Sequence, residues 1–385
     1  MDRWIADRLA ARVSAPARDT FPPIMRALAL ASALLLPACA GRYPDAHDRV
    51  RELTGAAEPP AWPRDCLVAN HVHTLVSDRY SHDPTAANEP RAYDPAGLRA
   101  AIALFARDGV GAIVVTDHNS PHAGFDPAVA TAPLTVIPGM EWTTRRGHAL
   151  QIGLRLDRPA DAILPPRWRD RVVAEDFRRM VEATHSHGGL VIIAHPRVPF
   201  RTWPDDTFGA DGVEIWGLDS VVIRNRQAVR WWHDRLIRGE RLIAVAGTDL
   251  HPGAWLRDHR RPLNRVTAAT CGADDVLAGL RSGHVLLVDD GAAPRVVLAV
   301  DGEARPGDTL PLEGRGEIDL QLRVLAGKGA RVRLLGPAGE LFARTVAGPD
   351  ETVRLRLRVR PGEFVRAELH RRRKPLALTN PVYFR

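Results

Sequence analysis

The sequence predicts an α/β domain on a parallel sheet or barrel, followed by a smaller all-β domain. Three observations predict it. From residue 65 onward, apolar strand-like runs alternate with amphipathic stretches, which is the βα alternation of a parallel sheet. Five of those runs end in metal-ligand residue types: AsnHisValHis (70–73), ThrAspHis (116–118), ProGlyMetGlu (138–141), AlaHisPro (194–196) and GlyThrAspLeuHis (247–251). Beyond about residue 291 the pattern changes to short alternating runs separated by Gly and Pro, as in an antiparallel β-sandwich.

The 385 residues suffice for two domains, and a hydrophobic fraction of 45% is ordinary for globular proteins. Near the N-terminus, Arg26 precedes a mostly apolar stretch from Ala27 to Leu36, which suits a signal-peptide core and is too short to span a bilayer. LeuProAlaCys (36–39) resembles the lipobox of bacterial lipoproteins, with Cys39 as the lipidated residue. Cleavage after AlaCysAla (38–40) as an ordinary signal peptide is the alternative. Residues 1–40 are therefore expected to be a leader, placing the protein in the bacterial periplasm or on a membrane through a lipid anchor. Asp2, Asp7 and Asp19 do not suit a signal's basic region, which makes Met25 a candidate start. The polar, Pro-containing residues 41–64 read as a tether.

The first strand is predicted from Cys66 to Ala69. Asp94 is placed to cap a helix with Pro95 at its first position, and Leu98, Ile102 and Phe105 recur at helical spacing. Further strands are predicted at Gly111 to Val115, Leu134 to Ile137, His148 to Leu154, Leu190 to Ala194, Gly212 to Ile215 and Leu242 to Ala246. Helices are predicted near 173–187 and 221–238. In the C-terminal part the strands are read at 318–324, 331–335 and 352–359. That part carries no clustered His, Cys or carboxylate set, and an accessory role is expected of it.

The formal charge of +7 invites a nucleic-acid reading. The pattern argues against it, because the arginines are scattered among Asp and Glu and the one dense run, Arg371 to Lys374, lies at the far end of the chain. Without Cys39, only Cys66 and Cys271 remain, and either one disulfide or two separate thiols is open.

Alternate residues of a strand face one side, so His71 and His73 are placed to aim two imidazoles at one ion. Strand ends are where barrel active sites assemble. HisSerHis (185–187) has the same spacing but falls at the end of a predicted helix before Gly188 and Gly189; it is excluded from the site, since a helix C-terminus favours imidazoles by itself. No GxSxG elbow or Walker loop is present.

The segments HisValHisThrLeuValSerAsp (71–78), ThrAspHisAsn (116–119), GlyMetGlu (139–141), GlyHisAlaLeuGlnIleGly (147–153), AlaHisPro (194–196) and GlyThrAspLeuHis (247–251) resemble, in order, motifs of the PHP (polymerase and histidinol phosphatase) superfamily of metallohydrolases. They are most similar to its CehA/McbA branch, as is LeuAlaLeuThrAsnProValTyr (376–383). The resemblance implies a distorted (β/α)7 barrel over 65–290, with 291–385 as a β-sandwich-like accessory domain. It also implies two or three divalent cations, Zn, Mn or Fe. His71, His73, Glu141 and Asp249 would hold one ion, Glu141 would bridge to a second with His148 and His195, and Asp78, His118 and His251 would hold a third. A bridging carboxylate keeps two cations close, so that a shared water loses its proton near neutral pH. His148 leans on the resemblance, because it begins a strand. Asp117 is expected to orient a ligating imidazole.

Glu141, Asp249 and His195 are the expected catalytic residues. Arg145, Arg146 and Arg197 follow ligand segments and suit an anionic small-molecule substrate, while Trp142 and Trp216 are candidate pocket walls. The amidohydrolase superfamily also opens with HxH but would need a carboxylated lysine, and Lys328 and Lys374 lie outside the barrel. Phosphomono- or diester hydrolysis ranks first. Carbamate, ester or amide hydrolysis on the same ions is the alternative, and a non-catalytic cell-surface binding module the second.

Overall fold

The computed structural model describes residues 49–55, 58–75, 93–166, 170–196, 203–217, 222–251 and 261–385. The leader, with Cys39, and the candidates Asp78 and Arg197 lie outside them. The chain enters with a short strand, β1 (Val50–Glu52), inside the stretch read as a tether. It pairs antiparallel with a C-terminal strand, Val50 opposite Leu357.

The α/β part begins at β2 (Asp65–Val72). Helix α1 (Pro95–Arg107) follows, and the Asp94 side chain accepts from Ala96 N at 2.9 Å with Pro95 in the first turn, as the sequence predicts. Leu98, Ala101, Ile102 and Phe105 form its buried stripe. Next come β3 (Ala112–Val115), β4 (Thr135–Thr144), β5 (Gly147–Ile152), α2 (Ala174–Ser186), β6 (Leu190–Ala194), β7 (Gly212–Trp216), α3 (Val222–Ile237) and β8 (Ile243–Ala246). Strands β3, β6 and β7 are buried at every position, which is why they read as unbroken apolar runs.

Strands β2 to β8 lie side by side in chain order along one curled sheet. The expected all-parallel arrangement needs correction at β5, which runs antiparallel to both β4 and β6. The physical reason is the connection: Thr144 pairs with Gly147, leaving only Arg145 and Arg146 as the loop. So short a loop makes a hairpin and cannot cross over. The curl brings the continuation of β8 to the C-terminal half of β2, where Thr248 N donates to Asn70 O at 2.9 Å and His73 N donates to Leu250 O at 2.8 Å.

Beyond the sheet, β9 (Leu263–Thr267), α4 (Ala273–Arg281) and β10 (Val285–Val288) continue the chain. The N-terminal half of β2 pairs with β9. Two buried asparagines complete the backbone pairing of β8. Asn264 exchanges both amide hydrogen bonds with Ala246 at 2.8 Å, and Asn380 accepts from Ala244 N at 2.7 Å. Cys66 and Cys271 are joined in a disulfide. A Cβ at Gly111 would lie 2.2 Å from the Cys271 sulfur, so only glycine fits beside the bridge.

The rest is β-rich: β11 (Arg295–Val300), β12 (Thr309–Leu310), β13 (Glu317–Leu325), β14 (Arg331–Gly336), β15 (Gly339–Thr345), β16 (Asp350–Arg358), β17 (Phe364–Arg371), β18 (Lys374–Thr379) and β19 (Val382–Phe384). One sheet has the order β1-β16-β13-β11; in the other, β14, β17 and β18 continue to β10. Ile318, Leu320, Leu322 and Val324 alternate inward along β13 and share a core with Val332, Leu334, Ala367 and Leu369 of the other sheet.

Candidate metal centre

Strand β2 delivers His71 and His73, but not by strict alternation. Its pairing with β3 shifts register between Ala69 and Val72, and His71 has φ of 63°. His195 (φ 27°), Asp249 (φ 48°) and Asn119 (φ 52°), the residue after His118, also occupy the left-handed region. Non-glycine residues rarely stay there unless their surroundings hold them, and such residues concentrate at functional sites. The ring centroids of His71 and His73 end 5.0 Å apart.

Glu141 sits at the centre, fully buried within β4. Its Oε1 lies 2.7 Å from His148 Nδ1, 3.2 Å from His195 Nε2 and 3.5 Å from His71 Nε2. Its Oε2 faces the other way, 2.5 Å from His118 Nδ1 and 3.7 Å from His73 Nε2. The antiparallel β5 explains His148: its start pairs with Ala194, the end of β6, so it shares the end of the sheet that carries the other candidates.

Asp249 closes the opposite side, with Oδ1 at 3.5 Å from His71 Nε2 and 3.3 Å from His73 Nε2. The His251 ring stacks on His73 at 4.1 Å between centroids. Four overlapping groups that could hold an ion result among the described residues: His71, His73 and Asp249; His71, Glu141 and His195; His118, Glu141 and His148; and His73, His118 and His251. His73 thus joins His118 and His251, in addition to His71 and Asp249.

The electrostatics show a nest of charge awaiting compensation. Burial disfavours the charged form of Glu141, yet the imidazoles of His118, His148 and His71 outweigh it and hold the carboxyl well below its ordinary range. Asp249 is held down in the same way, burial being overcome chiefly by His71 and His73. Burial pulls the His148 imidazole down to about 4, against the pull of Glu141. His73 is also lowered, by burial and then by its neighbours His251 and His118. At His71 burial opposes protonation, but Glu214, Asp249 and Glu141 together raise it.

The donor set fits divalent cations. Among the described residues, Nε2 of His71, both ring nitrogens of His73 and Nε2 of His148 are buried without a hydrogen-bond partner. Buried polar atoms are nearly always satisfied, so orphans in one place need an explanation. Imidazole nitrogens mixed with carboxylate oxygens are the donor set of Zn²⁺, Mn²⁺ and Fe²⁺.

Around this set, Asp117 accepts from Thr74 N at 2.7 Å and Thr74 Oγ1 at 2.8 Å, and lies 4.0 Å from His73 Nδ1. It braces the turn after His73, while His118 Nδ1 lies 2.8 Å from Thr143 Oγ1. Burial pushes the Asp117 carboxyl up to about 6. Arg145 and Arg146 are the exposed tip of the β4–β5 hairpin. Trp142 and Trp216 are core residues, and the Trp142 ring packs on Phe177 at 5.2 Å. His185 lies in α2 with Nε2 2.9 Å from Asp211 Oδ2, away from the cluster.

Sequence reading missed Glu214. It lies on β7, 3% exposed, with Oε1 2.9 Å from His71 Nδ1 and Oε2 accepting from His195 N at 3.0 Å. A lone acid inside the apolar run GlyValGluIleTrp (212–216) was the available signal.

No family model matches the chain, and no curated protein matches it. Among solved structures it is similar to a two-domain protein of Bacteroides vulgatus ATCC 8482, described as containing a predicted PHP-like metal-dependent phosphoesterase. The identity is 14% and the TM-score 0.43, over 86% of this chain and 99% of that one. So distant a likeness carries no argument about chemistry, which rests on the side chains.

Proposed function

We propose that this chain is a metal-dependent hydrolase of the PHP type, CehA/McbA-like, acting first on phosphomono- or diesters. The carrying observation is Glu141, whose two oxygens face two different sets of imidazoles. On this reading the curled sheet is a distorted (β/α)7 barrel and the β-rich part an accessory sandwich.

His71, His73, Asp249, His118, His148, His195 and His251 would hold two or three cations around Glu141, with Asp78 from outside the described residues. When bound, such cations acidify a water and neutralise charge developing on a phosphoryl or acyl oxygen. The chain's own residues set the geometry. Glu141 keeps the two imidazole sets at one separation, and Asp117 fixes the turn that carries His73. His195 and Asp249, with side chains 20% and 26% exposed, form the open side, where an anionic substrate would approach. Arg145, Arg146 and Arg197 are the candidate clamp for its charge. The Cys66–Cys271 bridge supports export, since disulfides persist in oxidising compartments; Cys39 remains the candidate lipid anchor.

The test loads purified protein with Mn²⁺, Zn²⁺ or Fe²⁺ and presents phosphomonoesters, phosphodiesters, naphthyl carbamates and esters. Cleavage of phosphoesters is expected. Cleavage of carbamates or esters alone would sink the phosphoesterase reading in favour of its alternative on the same ions. Elemental analysis is expected to find about two or three metals per chain, and a metal-free, well-folded, inactive protein would point to the binding module.

A further inference from the structure

We infer that Glu214 is a positioning residue that sets the tautomer of His71 and the backbone at His195 together. The inference rests on the metal-centre reading only for its consequence in metal affinity. The geometry on which it stands is internal to the chain.

An ionised carboxylate only accepts hydrogen bonds. Glu214 Oε1 is 2.9 Å from His71 Nδ1, so the ring hydrogen belongs on Nδ1. In the neutral ring, the form that binds a cation, that leaves the lone pair on Nε2, the nitrogen that faces Glu141 and Asp249 at 3.5 Å each. The second oxygen, Oε2, accepts from His195 N at 3.0 Å. One side chain on β7 thereby ties the end of β2 to the end of β6, at two residues whose φ values of 63° and 27° lie in the left-handed region. Without a fixed acceptor, neither backbone is held there by its own preference.

The surroundings leave the carboxylate no other place. A Cβ at Gly247 would lie 1.9 Å from Glu214 Oε1. Gly247 is therefore the cradle of this carboxylate, which explains a glycine at the start of the segment that carries Asp249 and His251. Three of the six segments that carry candidate ligands, at His71, His195 and Asp249, meet at Glu214 or its cradle. Outer partners of this kind are worth about 10–100-fold in metal affinity.

Glu214→Gln separates the two functions, because its amide offers one acceptor oxygen where two donors need one. If the oxygen stays with His195 N, the amide N–H faces His71 Nδ1 and drives the ring hydrogen to Nε2. If it stays with His71, the His195 amide loses its partner. The experiment records ¹⁵N imidazole shifts of metal-free, histidine-labelled protein at a pH high enough for neutral imidazoles, where the tautomer is defined, together with His195 amide exchange and Zn²⁺ affinity by competition titration. The expected result is a changed His71 tautomer or faster His195 exchange, with Zn²⁺ affinity lowered about 10–100-fold. Unchanged shifts and exchange, or unchanged Zn²⁺ affinity, overturn the inference. If Glu214→Gln fails to fold, Gly247→Ala displaces the same carboxylate without removing its charge and is read the same way. Should the wild-type chain take up no Zn²⁺, the metallohydrolase reading falls and the tautomer and exchange measurements alone decide the role of Glu214.

Discussion

The curled sheet and the β-rich region both bury charged side chains, and they treat them in opposite ways. Around Glu141, imidazole nitrogens of His71, His73 and His148 are buried without a hydrogen-bond partner among the described residues, and His71, His195 and Asp249 adopt left-handed backbones in the site itself. In the β-rich region the buried charge is closed. Arg366, 2% exposed, pairs with Glu368 at 2.5 Å and lies over the Trp232 ring at 5.0 Å. Glu368 also takes Arg333 and His370, each at 2.8 Å. The left-handed non-glycine residues there, Asp301, Glu313, Ala326 and Arg372, lie outside the strands. A satisfied buried network stabilises a fold, whereas strained backbone beside unsatisfied polar groups is the pattern that concentrates at functional sites.

The sharpest way to break the contrast is Glu141→Ala. Activity is expected to fall by more than the about 10–100-fold of an outer partner, with loss of at least one ion by elemental analysis. Hydrogen exchange along β13 and β16 should stay as in wild type. Unchanged metal content would refute the bridging role.

Glu368→Ala makes the reverse cut. It leaves Arg366 buried without its partner, which costs about 3–5 kcal/mol, read in urea melts, while metal content per folded chain stays the same. Loss of metal from the folded variant would show that the two regions are not separable. Next in size, Cys66→Ala with Cys271→Ala is expected to lower stability by about 2–4 kcal/mol, since the bridge spans 205 residues of sequence. Reductant should then have no further effect on the variant.

The smallest effect is with pH. Burial pushes the Glu368 carboxyl up, but Arg366 and then His370 outweigh it and hold it well below its ordinary range. A depressed folded-state value means stability present above the unfolded value of about 4.3 and lost as pH falls toward the folded one. Urea midpoints of wild type should therefore drop below about pH 4 more steeply than those of Glu368→Gln. Parallel curves would show that the network contributes nothing in acid.

Much of the candidate site is legible in the sequence because residue types able to hold a metal are few and strand ends repeat. Each of His71, His73, His118, Glu141, His148, His195, Asp249 and His251 falls in the one cluster. The two HxH pairs were separable as well, since His185 and His187 belong to the end of a predicted helix, and α2 ends at Ser186. What could not be read was direction. A hairpin of two loop residues turns β5 around, and only then does a histidine at the start of a strand belong with others at strand ends. Nor does sequence show that Val50 returns to pair with Leu357, because pairing partners far apart in the chain leave no local pattern.

The sequence by itself determined which donors this protein owns and which runs become strands, because residue chemistry and hydrophobic period are local properties. Tertiary structure alone decided how the donors divide between the two oxygens of Glu141, that Asn264 and Asn380 stand in for a strand beside β8, and that Glu214 reaches His71 and His195. Those are contacts between residues from 7 to 143 positions apart. They follow from sheet curl and strand direction, which the whole packed chain sets.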